Sequence, residues 1–301
     1  MIDVQRLRVL RAVAEHGSFN QAATALRLTP SAVSQHVAAL ERSLGAQVVT
    51  RSTRGVTLTP AGQIMFSAAE SVVAELEHAK RQVDRLSTGR SQLTIATFTS
   101  GGRLLLPGAL ERLMTVHPDT VVHVREHEPE GSLPLVRQGA VDIALAYSFD
   151  GPLPGQQGQA HSLHWTPLMD DPLHVVLPDG HPLAGRDELH LTELAAEPWV
   201  LGCLKTEAYL RRYAERAGFS PDIRGTTTDY FFARSLVAAG MGISLIPTIA
   251  LTPPVPGLHT VPIAPPTPTR HIGVAAIPRR HDHPQITTLI QALRTQVARA
   301  A

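Results

Sequence analysis

Apolar positions recur at helical spacing three times in the first sixty residues. Leu7, Leu10 and Val13 fall at i, i+3 and i+6 and predict a helix over about residues 3–15, ended by His16-Gly17. Ser18-Phe19-Asn20-Gln21 has the form of a capping box, in which the serine hydroxyl and the glutamine amide satisfy early backbone groups. It opens a short second helix lined by Ala22, Ala23 and Leu26. After the turn Arg27-Leu28-Thr29, Thr29-Pro30 fits the N-cap and first position of a third helix, because proline lacks only an N–H that is unpaired there anyway. Val33, Val37, Leu40 and Leu44 bury its inner face and Gly45 stops it. So short a turn sets two helices at a steep angle, which is helix-turn-helix geometry. Two β-branched runs, Gln47-Val48-Val49-Thr50-Arg51 and Gly55-Val56-Thr57-Leu58-Thr59, flank Ser52-Thr53-Arg54 and predict a hairpin, or wing.

From Thr59-Pro60 to Ser87 no further proline interrupts. Met65, Ala69, Val72, Leu76, Ala79, Val83 and Leu86 alternate spacings of four and three. This heptad seam predicts one helix roughly 40 Å long that buries the seam against another helix. Packing on the chain's own next domain is the alternative.

Past the break Thr88-Gly89-Arg90 the pattern alternates. Strands are expected at 93–97, 120–124 and 141–147, with helices at 104–116 and 132–138 between them. A βαβαβ order predicts a parallel sheet with helices on its faces. A second set follows, with strands at 164–169, 173–177, 199–201, 223–228 and 243–246 and helices at 206–217 and through Leu236. A strand at 271–277 and a helix at 286–298 return to the first set. Residues 252–268 hold seven prolines and are expected to be irregular. The expected organisation is an α+β winged helix-turn-helix at 1–59, a linker helix at 60–88 and an α/β part at 89–301. The last divides into one subdomain at about 91–161 with 269–301 and a second at about 162–268.

The formal net charge of +1 conceals a split. Residues 1–60 carry seven arginines against Asp3, Glu15 and Glu41, whereas the chain beyond residue 90 is acidic on balance. A small basic domain that meets an anion, joined to a larger one that does not, is the implied arrangement. Cys203 is the one cysteine, which excludes an intrachain disulfide and a cysteine-rich metal site. Met1-Ile2-Asp3-Val4-Gln5-Arg6 has no apolar run behind it, and no stretch is long and apolar enough to span a membrane, so a cytoplasmic protein is expected. Histidine pairs such as His123 with His127, His161 with His164, and His281 with His283 lack a convincing ligand constellation, so no metal and no cofactor are expected. There is no Gly-x-Ser-x-Gly elbow, Walker loop or dinucleotide fingerprint, and no enzyme is expected.

The candidate chemistry lies in two places. The outer face of the third helix begins with Ser31, Ser34, Gln35 and His36, whose hydroxyl and amide groups suit base edges. Arg51 and Arg54 at the wing suit phosphate or the minor groove. In the large part, two α/β subdomains joined by two crossings make a hinged cleft, and such sheets bind ligands beyond their strand ends. Thr99-Ser100 opens a helix there, with Ser100 as the expected cap, and Gly202-Cys203 opens another. Two helix N-termini facing one cleft favour a small, carboxylated ligand.

These motifs carry a resemblance. Ala12-Val13-Ala14-Glu15-His16-Gly17-Ser18-Phe19-Asn20-Gln21-Ala22-Ala23, Leu28-Thr29-Pro30-Ser31-Ala32-Val33-Ser34-Gln35-His36-Val37 and Leu40-Glu41-Arg42-Ser43-Leu44-Gly45 closely resemble the opening of LysR-type transcriptional regulators. So do Arg51, Arg54 and Leu58-Thr59-Pro60-Ala61-Gly62. Leu104-Leu105-Leu106-Pro107, Gly139-Ala140-Val141-Asp142-Ile143-Ala144 and Val237-Ala238-Ala239-Gly240-Met241-Gly242-Ile243-Ser244-Leu245-Ile246-Pro247 resemble the family's effector domain more loosely. The resemblance implies a periplasmic-binding-like effector domain and a regulator of transcription that binds double-stranded DNA with paired half-sites. It also implies dimers through the linker helix, tetramers through the effector domains, and a small-molecule effector. The expected DNA-contacting set is Ser18, Thr29, Pro30, Ser31, Ser34, Gln35, His36, Arg51 and Arg54. Positions matching the family's effector pocket are Thr99, Ser100, Pro129, Tyr147, Gly202, Cys203 and Thr228. Some members carry arginine where this chain has Tyr147, which weakens the case for carboxylate pairing. Cys203-Leu204-Lys205-Thr206 is similar to the peroxidatic-cysteine segment of the family's peroxide sensors, but Arg212 stands where their partner cysteine would be. The alternative function is a solute-binding protein without a role at DNA.

Overall fold

The computed structural model describes residues 2–52, 55–88, 91–149, 151 and 163–300. Asp3 accepts the Arg6 N–H and starts helix α1 (Val4–His16), which ends where Gly17 turns left-handed at φ 62°. α2 (Phe19–Leu26) departs from the expected capping box: Ser18 is extended at the N-cap, but its side chain makes no capping bond. The helix is held instead by Ala22 and Ala23, both buried in the core that α1 shares with α3 (Pro30–Leu44). Thr29 does cap α3, accepting the Ala32 N–H at 3.2 Å, with Pro30 behind it. Strands β1 (Val49–Ser52) and β2 (Gly55–Leu58) pair antiparallel, and the Val56 N–H donates to the Gly17 carbonyl, which hangs the wing on the α1–α2 loop.

Helix α4 (Pro60–Thr88) is capped by Thr59 through the Gly62 N–H at 3.0 Å. A Cβ at Gly62 would lie 1.9 Å from the Val48 carbonyl oxygen, so only glycine allows this approach. The expected seam divides. Ala69 is buried within the chain, and so are its off-seam neighbours Val73 and Ala74, whereas Leu76 and Val83 are 43% and 63% exposed. Ala69, Val73 and Ala74 are thus taken up by the helix's own chain, while Leu76 and Val83 further along stand open.

In the remainder, β3 (Ser91–Thr97) pairs parallel with β4 (Thr120–Glu126) and with β5 (Ile143–Ser148). Helices α5 (Thr99–Leu104), α6 (Leu106–Val116) and α7 (Pro129–Arg137) fill the connections. The helix expected at 104–116 is broken at Leu105, because Pro107 has no N–H to continue an α5 ladder. The two strands expected at 164–169 and 173–177 are one, β6 (His164–Pro178). β7 (Pro198–Leu201), α8 (Leu204–Arg216), β8 (Asp222–Thr226), α9 (Tyr230–Ala238), β9 (Ser244–Pro247) and β10 (Leu258–Pro262) follow. β10 lies inside the proline-rich stretch expected to be irregular. It is the edge of its sheet, where a missing N–H is tolerated. β11 (Thr269–Ala276), α10 (Pro278–His281) and α11 (Pro284–Ala300) close the chain.

The sheet order is β10-β6-β11-β5-β3-β4, so a parallel core of three strands is extended by antiparallel ones. The first half of β6 pairs with β11 and the second half with β9 and β10. The crossing from first to second subdomain therefore falls near Pro172 rather than at 162. The return crossing lies beside it, where the Leu173 N–H donates to the Pro268 carbonyl at 2.7 Å. Separate apolar cores lie on the two sides, one around Leu113, Leu145 and Leu289 and the other around Leu177, Trp199 and Leu245.

Candidate functional site

On α3 the inner face is occupied by Val33, Val37 and Leu40, which leaves Ser31 and Gln35 exposed and Ser34 and His36 half-buried at its edge. Arg51 does not project freely. Its guanidinium donates to Ser34 Oγ at 3.1 Å and lies 4.2 Å over the Phe19 ring, tying the wing to α3. Ser18 is half-buried, and Thr29 is occupied as the cap of α3 beside Pro30. Arg54 lies outside the described residues.

The cleft between the two subdomains is built around a buried ion pair that the sequence reading missed. Arg270 on β11 sits opposite Asp171 on β6, at the crossing. Nε donates to the carboxylate at 2.6 Å, and both side chains are fully buried. A second guanidinium nitrogen donates to Ser100 Oγ at 2.9 Å, and Asp171 also accepts the Ile249 N–H at 3.0 Å. The rings of Tyr147, Phe98 and Tyr230 surround the guanidinium at 4.9, 5.1 and 5.5 Å. Burial would lower the pKa of Arg270, but Asp171 above all, with Tyr230 and Tyr147, holds it raised. Ser100 is therefore not the helix cap that was expected. Phe98 occupies that position, and the buried serine hydroxyl serves Arg270.

Two cavities open from this centre. The first, about 670 Å³, is lined by Thr99, Glu126, His127, Glu128, Cys203, Thr228 and Asp229. Thr99 donates to Glu126 at 2.6 Å and Tyr147 donates to Glu128 at 2.7 Å, while Asp229 caps α9 through the Phe231 N–H. Burial first, then Cys203, Tyr230 and Glu128, pushes the Tyr147 phenol up, so it stays a neutral donor. Three carboxylates line this cavity, and among its described lining residues there is no lysine or arginine. A carboxylated ligand, expected from two helix N-termini, is disfavoured because those carboxylates would repel it. The second cavity, about 620 Å³, lies between α7 and α8 and is lined by Pro129 and Tyr147 among others. Tyr147 forms the partition, since its hydroxyl reaches both Glu128 and Cys203 Sγ, the latter at 3.6 Å. Gly202 lines neither cavity; its backbone packs on Tyr230, whose ring would lie 2.3 Å from an added Cβ. The sequence-expected effector residues thus separate into Thr99, Cys203 and Thr228 on one cavity, Pro129 and Tyr147 on the other, and Ser100 and Gly202 in the supporting wall.

The far end of α7 meets the N-terminal region. Gly139 is left-handed at φ 70°, and a Cβ there would lie 2.8 Å from Ala74 Cα on α4. The adjoining Gln138 amide comes within 3.5 Å of Glu15 on α1. Gly139→Ala is expected to cost about 1–2 kcal/mol for the left-handed backbone alone and to push α7 off α4. Thermal unfolding checks the first effect, and protease sensitivity of the junction checks the second. An unchanged melting temperature would mean that the contact yields freely.

Residues 4–63 match the family described as "Bacterial regulatory helix-turn-helix protein, lysR family", and residues 87–298 match "LysR substrate binding domain". A protein of Mycobacterium avium named "Probable hydrogen peroxide-inducible genes activator" is 34% identical over 81% of this chain and 78% of its own length. The HTH-type transcriptional regulator CysL of Bacillus subtilis is 28% identical over 80% of this chain and 79% of its own. Among solved structures, a variant of Corynebacterium glutamicum OxyR superposes with a TM-score of 0.60 at 26% identity, covering 99% of this chain and 92% of that one.

Proposed function

The chain belongs to the LysR family of bacterial helix-turn-helix regulators, and from that membership we propose how its parts work. It is a DNA-binding regulator of transcription with an effector-binding domain, not an enzyme. A solute-binding role without DNA is not favoured, because residues 4–63 match the regulatory helix-turn-helix family. No helix among the described residues is long and apolar enough to cross a membrane, in keeping with work in the cytoplasm. In this reading α3 enters the major groove with Ser31, Ser34, Gln35 and His36 toward base edges, and Arg51 and Arg54 hold the backbone. Two copies pair through the face of α4 that carries the exposed Leu76 and Val83 and so read two half-sites. A small effector with hydrogen-bond donors or a positive charge occupies the carboxylate-lined cavity and shifts the hinge at Pro172 and Pro268. The relatives' peroxide response is not carried over in its disulfide form, since Cys203 has no second cysteine in the chain to pair with.

The observation that carries the DNA reading is the outer face of α3, where Ser31 and Gln35 stand exposed while the opposite face is fully packed. Gln35→Ala is expected to cost about 1–3 kcal/mol on the cognate site and to relax base preference there. A gel shift on the chain's own upstream DNA against a scrambled duplex measures it. Equal affinity of variant and wild type for the cognate duplex would remove α3 from the groove.

A further inference from the structure

A third cavity, of about 300 Å³, lies away from the cleft, where α10 and one face of α11 meet the start of β6. His164 opens β6 eight residues before Pro172, so roughly 26 Å of strand separates it from the crossing. Thr287, Ile290, Gln291 and Arg294 are three, one and three residues apart and share one face of α11. Ile290 is buried beneath the cavity, and Thr287, Gln291 and Arg294 stand exposed around it. On the other side are His164 and His281, whose rings lie 3.9 Å apart at 51°. His281 is already engaged: its Nδ1 donates to Asp282 at 3.1 Å, and its Nε2 lies 3.1 Å from the Thr166 hydroxyl. His164, Thr287, Gln291 and Arg294 have no side-chain hydrogen bond or ion pair to a described residue. All four can donate, and among the described lining residues there is no carboxylate, although the chain beyond residue 90 is acidic on balance. Asp282 stands beside His281 with its side chain 93% exposed. Burial first, and then His281, lower the pKa of His164, against a rise from Asp282. The cluster resists a further positive charge and admits a negative one. A transition metal fits less well, because both His281 nitrogens are engaged and no group of three or more ligating side chains is found among the described residues. The oxygens of a tetrahedral anion accept from a guanidinium, an imidazole N–H, a hydroxyl and an amide at once.

We propose that this cavity binds a tetrahedral oxyanion, free or as the phosphate group of a small ester, held by Arg294 and His164 with Thr287 and Gln291 completing its hydrogen bonds. His281, fixed by Asp282 and Thr166, positions the His164 ring. The same helix leads to the linker. Gln285, two residues before Thr287, is buried and donates to Ser91 Oγ at 3.2 Å, on the first residue of β3 beyond α4. An anion that draws α11 toward β6 therefore bears on the joint between linker helix and effector domain, from a place separate from the cleft.

Trp165 lines the cavity, and Trp199, the other tryptophan, is fully buried in the second subdomain, so intrinsic fluorescence reports on this site. The test is fluorescence titration of the full chain in a phosphate-free buffer, repeated by calorimetry, with inorganic phosphate, glycerol 2-phosphate, glycerol and Zn²⁺ as probes. Both phosphates should bind saturably and glycerol should not. Tighter binding of the ester identifies an esterified ligand, and tighter binding of the free ion an inorganic one. Arg294→Gln should weaken phosphate about tenfold or more, and Arg294→Lys less, because it keeps the charge without the fork. His164→Leu should weaken it severalfold. Arg299→Gln removes the same charge from the last turn of α11, outside the cavity, and should leave phosphate binding as it was. Circular dichroism confirms that each variant is folded. Absence of saturable phosphate binding by both measurements, or equal affinity for folded Arg294→Gln, overturns the proposal. An equal loss in Arg299→Gln makes the effect one of net charge and overturns it too. So does a Zn²⁺ response that His164→Leu abolishes, if neither phosphate binds. None of these outcomes bears on DNA recognition by α3 or on the ligand of the first cavity.

Discussion

Arg270→Met is expected to destabilise the effector domain by about 3–5 kcal/mol. The substitution leaves Asp171 fully buried and without its counter-charge, and takes from Ser100 the charged donor that Arg270 supplies. The Ile249 N–H remains on Asp171, but one neutral donor does not balance an ion whose side chain is fully buried. The pair also holds the two crossing strands in register at the hinge, so the loss is expected to loosen both subdomains together. Urea unfolding of the full chain measures the effect as a lower midpoint for the effector domain, with the DNA-binding region as an internal reference. A double variant, Arg270→Met with Asp171→Leu, should recover much of the loss, because replacing both ions with apolar groups removes the stranded charge. A single variant within about 1 kcal/mol of wild type, against the range for breaking such a pair, would show that water reaches Asp171.

Placing aspartates at Leu76 and Val83 is expected to abolish self-association through α4. In the single chain these side chains are 43% and 63% exposed, so the folded protomer tolerates charge there. In a dimer paired on this face, each carboxylate would be buried without a partner at several kcal/mol apiece. Four such groups would weaken pairing by about a thousandfold or more, since every 1.4 kcal/mol is a factor of ten. The half-sites would then be read singly, and affinity for paired half-site DNA would fall steeply. Sedimentation velocity gives the oligomeric state and circular dichroism the fold. A doubly substituted chain that sediments as wild type and binds the same DNA equally well would remove this face of α4 from the interface.

The two regions of the chain were legible to different depths. In the N-terminal region, Thr29-Pro30 announced the start of α3, and Gly45 its end, because capping is settled within four residues. Ser18 shows the limit of such a motif: the residue types of a capping box are present, yet packing of Ala22 and Ala23 holds α2 without the bond. The heptad seam of α4 was read correctly as a helix. That Ala74, off the seam, is buried against Gly139 was not legible, because that residue lies far along the chain. Arg51 was legible as a wing arginine, but not as a residue held by Ser34 and Phe19.

In the large region the sequence by itself determined most of the strand and helix alternation and the existence of a cleft. These follow from apolar periodicity, a property of neighbouring residues, whereas the effect of each proline depended on its surroundings: Pro107 breaks a helix, Pro172 lies within one strand and Pro262 within an edge strand. What the cleft is made of was decided only by tertiary structure. Arg270 meets Asp171 across a separation of 99 residues and Ser100 across 170. Glu126, Glu128 and Asp229 converge on one cavity from two subdomains, and Tyr147 becomes a partition only because Glu128 of one subdomain and Cys203 of the other both meet its hydroxyl. No local pattern encodes such meetings. Periodicity records which face of an element is buried, whereas the charge of a cavity depends on which faces the folded chain turns toward one another.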